Sequence, residues 1–217
     1  MSTTERNQVQ EMIYQNEDKQ VATNFCRVKG RINTDLKYDH SIYGEKFFST
    51  MVTVKRLSGT EDNIPVIISE FLLRKYQHIA GVPVKIEGEV RSYNKTDLLG
   101  KGHLCVILFA RSEISRTSDD ENDENVVQLI GKICKPPVFR KTPFGREICE
   151  LMLAVNRNFG KSAYIPCIAW GRVARYAASL TVGTQAKIMG RFQSRQYENG
   201  KGERRIAYEI SVTRFET

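Results

Sequence analysis

Histidine and cysteine, the residue types that most often carry metals, bridges and proton transfer, are sparse in this 217-residue chain and scattered along it. The five cysteines (Cys26, Cys105, Cys134, Cys149 and Cys167) are odd in number, and no two lie closer than 15 residues. That excludes a disulfide framework and a CxxC metal site, and reduced thiols in a cytoplasmic protein are the expectation. His40, His78 and His103 are too far apart in sequence to offer a local zinc or acid–base pair. No apolar run reaches 18 residues, so no membrane span is expected. The opening MSTTERNQVQEMIYQNEDKQ has no apolar stretch of the kind that directs secretion. No HExxH, GxSxG or paired-carboxylate pattern occurs. Leu98-Leu99-Gly100-Lys101-Gly102 lacks the strand–GxxxxGK[ST]–helix context of a phosphate cradle. The chain is therefore expected to be no enzyme and to need no metal or cofactor.

What is present is positive charge, unevenly placed. Thirty-three Lys and Arg against 25 Asp and Glu leave +8. Residues 1–20 carry −2, residues 21–117 carry +5, residues 118–125 carry −5 and residues 126–217 carry +10. A domain this basic attracts polyanions, namely nucleic acid or an anionic membrane surface. The alternative is a surface whose Lys and Arg serve solubility alone.

The acidic block at 118–125 reads as a solvated linker, since its charges repel one another and nothing in it is apolar. On either side of it the chain repeats itself. Gly30, Gly44, Arg56 and Pro65 recur 101 residues later as Gly131, Gly145, Arg157 and Pro166. Gly81 and Gly88 recur 102 residues later as Gly183 and Gly190. Such a period is too long for a solenoid and fits a duplicated domain. The expected organisation is a polar extension at 1–20, in which Val9, Met12 and Ile13 offer at most a short apolar stripe, a first domain at 21–117, the linker, and a second domain at 126–217.

Each half reads as strand-rich. In the second, Val126–Ile133, Glu147–Asn156 and Ala163–Trp170 precede a helical stretch at Arg172–Leu180, and Thr184–Ser194 and Arg204–Arg214 follow around Asn199-Gly200-Lys201-Gly202. Pro166 marks the third strand as an edge or a bulge. The first half follows with Phe25–Ile32, Lys46–Lys55, Ile64–Ser69, a helix near Glu70–His78, Val84–Ser92 and Leu104–Arg111. Five strands with one helix between the third and fourth is the plan of the OB barrel. The expected fold is all-β, with two tandem five-stranded OB-fold barrels.

The second half also carries a family's motifs: LIGK, TPFGREI, LAVNR, IPCIAWG and GRFQSRQY, in order across residues 126–215. It resembles the bacterial and phage single-stranded DNA-binding protein family. The resemblance implies an OB barrel that binds single strands with little regard to sequence. It places base-stacking rings at Phe159, Tyr164, Trp170 and Tyr197, all aromatic here. Barrel core is the alternative for these rings, Trp170 above all. Phosphates are tracked by Lys and Arg in such proteins. The candidate cations are Arg140, Lys141 and Arg146 at the first hairpin, Arg157 and Lys161 around Phe159, Arg191 and Arg195 on the fourth strand, and Arg204 and Arg205 beyond it. Period-2 geometry puts Arg191, Gln193, Arg195 and Tyr197 on one strand face.

In the first half the four ring positions fall on Ser58, Asn63, Ser69 and, near the last, Lys95, so that half is expected to be a degenerate copy. Phe71, Tyr43 and Tyr93 are its possible substitutes, and Lys29, Arg31, Lys46, Lys55 and Arg91 its possible phosphate contacts. The resemblance further implies roles in replication, recombination or repair, a nucleoid-associated cytoplasmic location, and a homodimer with four barrels. Thr213–Thr217 follow the last strand directly, so recruitment of replication or repair enzymes through an acidic tail is not expected. A primosome-type adaptor and an RNA-binding OB protein are the alternative readings.

Overall fold

A computed structural model describes residues 23–73, 79–96, 100, 102–119, 122–157, 160–198 and 202–216. In the first half, strands β1 (Asn24–Ile32), β2 (Lys37–Ile42), β3 (Glu45–Lys55) and β4 (Glu61–Ser69) lead into α1 (Glu70–Leu73), followed by β5 (Pro83–Thr96), β6 (Gly102–Ala110) and the two-residue β7 (Ser115–Arg116). In the second half, β8 (Glu124–Ile133), β9 (Val138–Lys141), β10 (Glu147–Asn156) and β11 (Ser162–Trp170) lead into α2 (Gly171–Ala178), followed by β12 (Gln185–Glu198) and β13 (Arg204–Glu216).

Both halves close into the expected OB barrel. Antiparallel pairs β1–β3, β3–β4, β5–β6 and β1–β5 are completed by a parallel pair, β4–β6. The second barrel closes in the same way through β8–β10, β10–β11, β12–β13, β12–β8 and the parallel β11–β13. The repeat holds residue by residue. Ile32 opposite Val52 corresponds to Ile133 opposite Leu153, and Val66 opposite Leu108 to Cys167 opposite Ile210. The shift from 101 to 102 falls between Ser69/Trp170 and Gly81/Gly183, so the second copy takes up its extra residue in the helical connection.

Period-2 alternation builds the interiors. Val52, Val54, Ile64, Val66, Ile86 and Leu108 fill the first barrel, and Leu129, Leu153, Val155, Ile165, Ile188 and Ile210 the second. α1 contributes Leu72 and Leu73, and α2 contributes Ala174 and Ala177.

Three features differ from expectation. β2 and β9 are strands of exposed residues, paired to β3 and β10, and their mixed composition hides them from a hydrophobic-pattern reading. β11 is no edge strand, because β10 and β13 flank it. Pro166 is tolerated there because it pairs only with Met152, and the parallel pairing to β13 begins one residue later, at Cys167. The acidic block is exposed at 118, 119, 122 and 123, as a solvated linker would be, but it is also tied to the first barrel. Asp119 pairs with Arg31, Asp123 accepts from the Lys55 backbone N–H at 2.6 Å, and β8 begins at Glu124. Val9, Met12, Ile13 and positions 74–78 of the first helix lie outside the described residues.

The barrels join through β1 and β8, which pair antiparallel from Asn24 opposite Leu129 to Lys29 opposite Glu124. In that ladder Cys26 faces Val127, its own counterpart 101 residues on, so a pseudo-two-fold axis passes through this pair. The asparagine at the start of each strand braces its own barrel alike. The Asn24 carboxamide donates to the Val90 carbonyl and accepts from the Val90 N–H at 2.7 and 2.8 Å, and Asn125 does the same with Phe192.

The invariant glycine of the repeat has a steric cause. A Cβ on Gly131 would lie 2.7 Å from the Ala154 carbonyl oxygen, and one on Gly30 would lie 2.2 Å from that of Thr53. Each marks the place where the first strand crosses the third element of its barrel and the backbones nearly touch. Gly131→Ala is expected to lower unfolding free energy by about 1–3 kcal/mol through overpacking. Gly145→Ala, with open space around the Cβ but a left-handed φ of +75°, is expected to cost less. Denaturant midpoints of the two variants check the order.

Candidate nucleic-acid interface

The outer face of β11 carries Tyr164, Pro166, Ile168 and Trp170, since Ala163, Ile165, Cys167 and Ala169 point into the core. Tyr164 is half exposed, at 52%. Trp170 is partly buried and is the residue at which strand gives way to α2. It is not among the fully buried core side chains. Ladder register places Arg140, Ile148 and Trp170 in one cross-strand row, on β9, β10 and β11. Tyr164 lies six residues along the same face, roughly 20 Å away at strand rise. Arg140 is held there by Glu150.

β12 outlasts its pairing with β8, which ends at Gly190, and runs on with β13 past Tyr197 opposite Arg205 to Glu198 opposite Arg204. Arg191, Gln193, Arg195 and Tyr197 do share one face. Arg195 donates to Glu209 at 2.9 Å, Gln193 donates to the same oxygen at 2.8 Å, and the Arg195 guanidinium stands 5.8 Å from the Tyr197 ring centre. Part of this face is closed, because Gln193 and Glu209 are buried and Glu209 holds Arg195 charged. Tyr197 stays exposed beyond the network.

Where each long strand leaves its own barrel it meets the other one. The Tyr164 N–H donates to Ser92 Oγ at 2.9 Å, and the Asn63 N–H, its counterpart, donates to Ser194 Oγ at 2.9 Å. At the second seam, Asp62 is fully buried and takes a bidentate pair from Arg56 at 2.6 and 2.7 Å, as well as the Ser194 N–H at 3.0 Å. Burial and the neighbouring Arg56 lower the proton affinity of Arg191, whose Nε is buried without a partner. At the first seam Arg157 corresponds to Arg56, but Ala163 stands where Asp62 would be. Burial first, and Arg157 among its neighbours, press in the same way on Arg91.

Cations differ in their partners between the barrels. In the first, Arg27 pairs with Glu87, Arg31 with Asp119, Lys46 with Glu70, Arg56 with Asp62, and both Arg91 and Arg111 with Glu89. In the second, Lys141, Arg146, Arg157, Lys161, Arg191 and Arg204 make no ion pair among the described residues. Arg205 pairs with Glu203. Phe159 lies outside the described residues. The first-barrel positions offer no matching rings. Ser69 is buried, and Asn63 binds Thr53 and Asn33. That barrel instead has an outer apolar cluster of Phe47, Ile67, Ile107 and Phe109, with His40 stacked on Phe47 at 4.8 Å and Arg91 over Phe109 at 3.7 Å. Among the described residues no group of His, Cys, Asp and Glu is arranged to hold a metal. No described helix is long and apolar enough to cross a membrane.

Sequence reasoning missed the exposed rings of the two small hairpins: Phe139 and Phe144 in the second barrel and, beside Tyr43, Tyr38 in the first. The signal was in the repeat itself, since 38 and 139, like 43 and 144, are 101 apart.

Residues 124–217 match the model of the Single-strand binding protein family. The chain is 38% identical over 95 residues to single-stranded DNA-binding protein A of Bacillus subtilis strain 168, covering 41% of this chain and 55% of that one. It is 34% identical over 99 residues to the single-stranded DNA-binding protein of Enterococcus faecalis, covering 42% and 53%. The chain thus spans about half the length of the curated relatives it matches. The crystal structure of the wild-type single-stranded DNA binding protein from Thermus aquaticus superimposes with a TM-score of 0.69 at 20% identity, over 89% of this chain and 91% of that one. That likeness shows a shared fold across both barrels.

Proposed function

We propose that this chain binds single-stranded DNA with little sequence preference, chiefly on its second barrel, by stacking bases on Tyr164, Trp170 and Tyr197 and tracking phosphates with Arg140, Lys141, Arg146, Arg157, Lys161, Arg191, Arg195, Arg204 and Arg205. Phe159 belongs to the same set. The observation that carries the reading is the contrast between the barrels. The second carries the exposed rings Tyr164 and Tyr197 and the partly buried Trp170, with Lys141, Arg146, Arg157, Lys161, Arg191 and Arg204 making no ion pair among the described residues, whereas most cations of the first are matched to carboxylates. Aromatic platforms set among free cations are what sequence-tolerant strand binding requires. The similarity of residues 124–217 to the single-strand binding family supports the same reading. The first barrel acts as a degenerate copy that positions the second. Two chains associate to put four barrels in one cytoplasmic, nucleoid-associated particle that serves replication, recombination or repair and performs no chemistry.

Three measurements test this. Trp170 is the sole tryptophan, so its fluorescence reports one place. Single-stranded DNA is expected to quench it and duplex DNA to leave it unchanged. Trp170→Ala is expected to weaken binding roughly 5- to 150-fold, with Trp170→Phe close to wild type, because base–aromatic stacking is worth about 1–3 kcal/mol. Equal affinity of wild type and both variants would remove Trp170 from the site. The log–log dependence of affinity on salt is expected to have a slope of about −3 to −4, at about −0.7 for each of roughly four to six neutralised phosphates. A slope near zero contradicts backbone tracking. Light scattering at micromolar concentration is expected to give twice the mass of one chain, and a single-chain mass refutes the dimer.

A further inference from the structure

β2–β3 and β9–β10 form two small hairpins that stand at equivalent places on the barrels. The β2–β3 hairpin turns through Tyr43-Gly44, with Ile42 paired to Glu45. Both turn residues have left-handed backbone, at φ +49° and +84°. Tyr43 is the one non-glycine residue in that region among the described residues. A two-residue turn with both φ positive is the ordinary setting for Asn-Gly, and a bulky side chain at its first position is strained. The β9–β10 hairpin turns through Thr142–Gly145. The Gly145 N–H donates to the Thr142 carbonyl at 2.8 Å, and the Arg146 N–H donates to Thr142 Oγ1 at 3.1 Å. Its tip ring is Phe144.

Neither ring packs on anything. Tyr43 is as exposed as an isolated residue, at 105%, and Phe144 is 92% exposed. A ring in water contributes nothing to the fold, and Tyr43 adds backbone strain besides. Yet both copies of the repeat keep an aromatic side chain at this position, 101 residues apart, although none of the rings at 164, 170 and 197 is shared. The two halves have diverged at the other three ring positions, so what they hold in common at a solvent-facing tip answers to something outside the fold.

We infer that Tyr43 and Phe144 are base-stacking residues, one on each barrel, that extend the single-strand track beyond the rings already assigned. This rests on the reading above. Two observations select nucleic-acid bases as the occupant. Lys141 and Arg146 flank Phe144 and make no ion pair among the described residues, so phosphates on either side of a stacked base would meet free cations. The hairpin is also continuous with the proposed site, because Arg140, Ile148 and Trp170 form one row across β9, β10 and β11. Phe144 stands in the turn before β10, four residues from Ile148, and so no more than about 14 Å from that row.

The experiment uses the full chain and oligothymidylate. Phe144→Ala and Tyr43→Asn are the variants, and both are expected to fold. Phe144 buries nothing, and Asn suits the left-handed turn position better than Tyr, so Tyr43→Asn is expected to raise the thermal midpoint. Each is expected to weaken oligothymidylate binding roughly fivefold or more while Trp170 quenching at saturation persists. Phe144→Trp adds a second emitter at the tip, expected to be quenched by the oligonucleotide. Wild-type affinity in both variants, with Trp170 still quenched in the wild type, overturns the assignment of the tips and leaves the Trp170 site standing. A halved particle mass with unchanged affinity also overturns it, by showing that the tips hold a second copy of the chain. Absence of any Trp170 response in the wild type defeats the underlying reading first.

Discussion

Everything distinctive in this molecule follows from two copies of one strand lying antiparallel against each other. β1 and β8 close their own barrels on one side and pair with each other on the opposite side. Because the ladder is antiparallel and the copies are equivalent, a two-fold relation is forced, and Cys26 opposite Val127 fixes where its axis lies. The carboxamides of Asn24 and Asn125 then hold β5 and β12 where β1 and β8 have ended, and the freed ends of those long strands reach the opposite barrel at Ser92 and Ser194. The seams, and the arginines gathered at them, are consequences of that register.

The approximate symmetry makes its exceptions legible. Arg56 has Asp62 and Arg157 has Ala163, so one of these two arginines has a carboxylate at its seam and the other does not. β5 carries Glu89 and Arg91, and the matching positions of β12 carry Arg191 and Gln193. Each substitution moves carboxylate toward the first barrel and leaves a guanidinium on the second without a carboxylate partner among the described residues. The acidic block adds to the same imbalance, with Asp119 on Arg31 and Glu124 near Arg27.

Much of this was readable in the residues. The recurrence of Gly30 as Gly131 and of Gly88 as Gly190 records places where only a hydrogen atom fits beneath a carbonyl, and steric demands of that kind survive divergence. β10 was legible to the residue because Cys149, Leu151, Leu153 and Val155 alternate cleanly into the core. β2 and β9 were not, because both faces of each strand meet solvent and no hydrophobic period marks them. Rings placed by resemblance, such as Tyr164 and Tyr197, do stand exposed. The burial of Gln193 was not legible, because the carboxylate that binds it, Glu209, comes from β13, a partner that strand alternation alone does not reveal.

Covalent linkage of the two paired strands has an effect that neither barrel shows alone. Two separate chains meeting through such a ladder would depend on concentration and would carry every residue twice, so a change useful at one seam would be imposed on the other. Joined in one polypeptide, the strands meet at an effective concentration set by the connection rather than by the solution. Each position is then specified once. Asp62 can be a carboxylate while its counterpart is a methyl group, and the two ends of a formerly equivalent surface become distinguishable. A molecule built this way has a direction, and a polymer laid across it has reason to lie one way round.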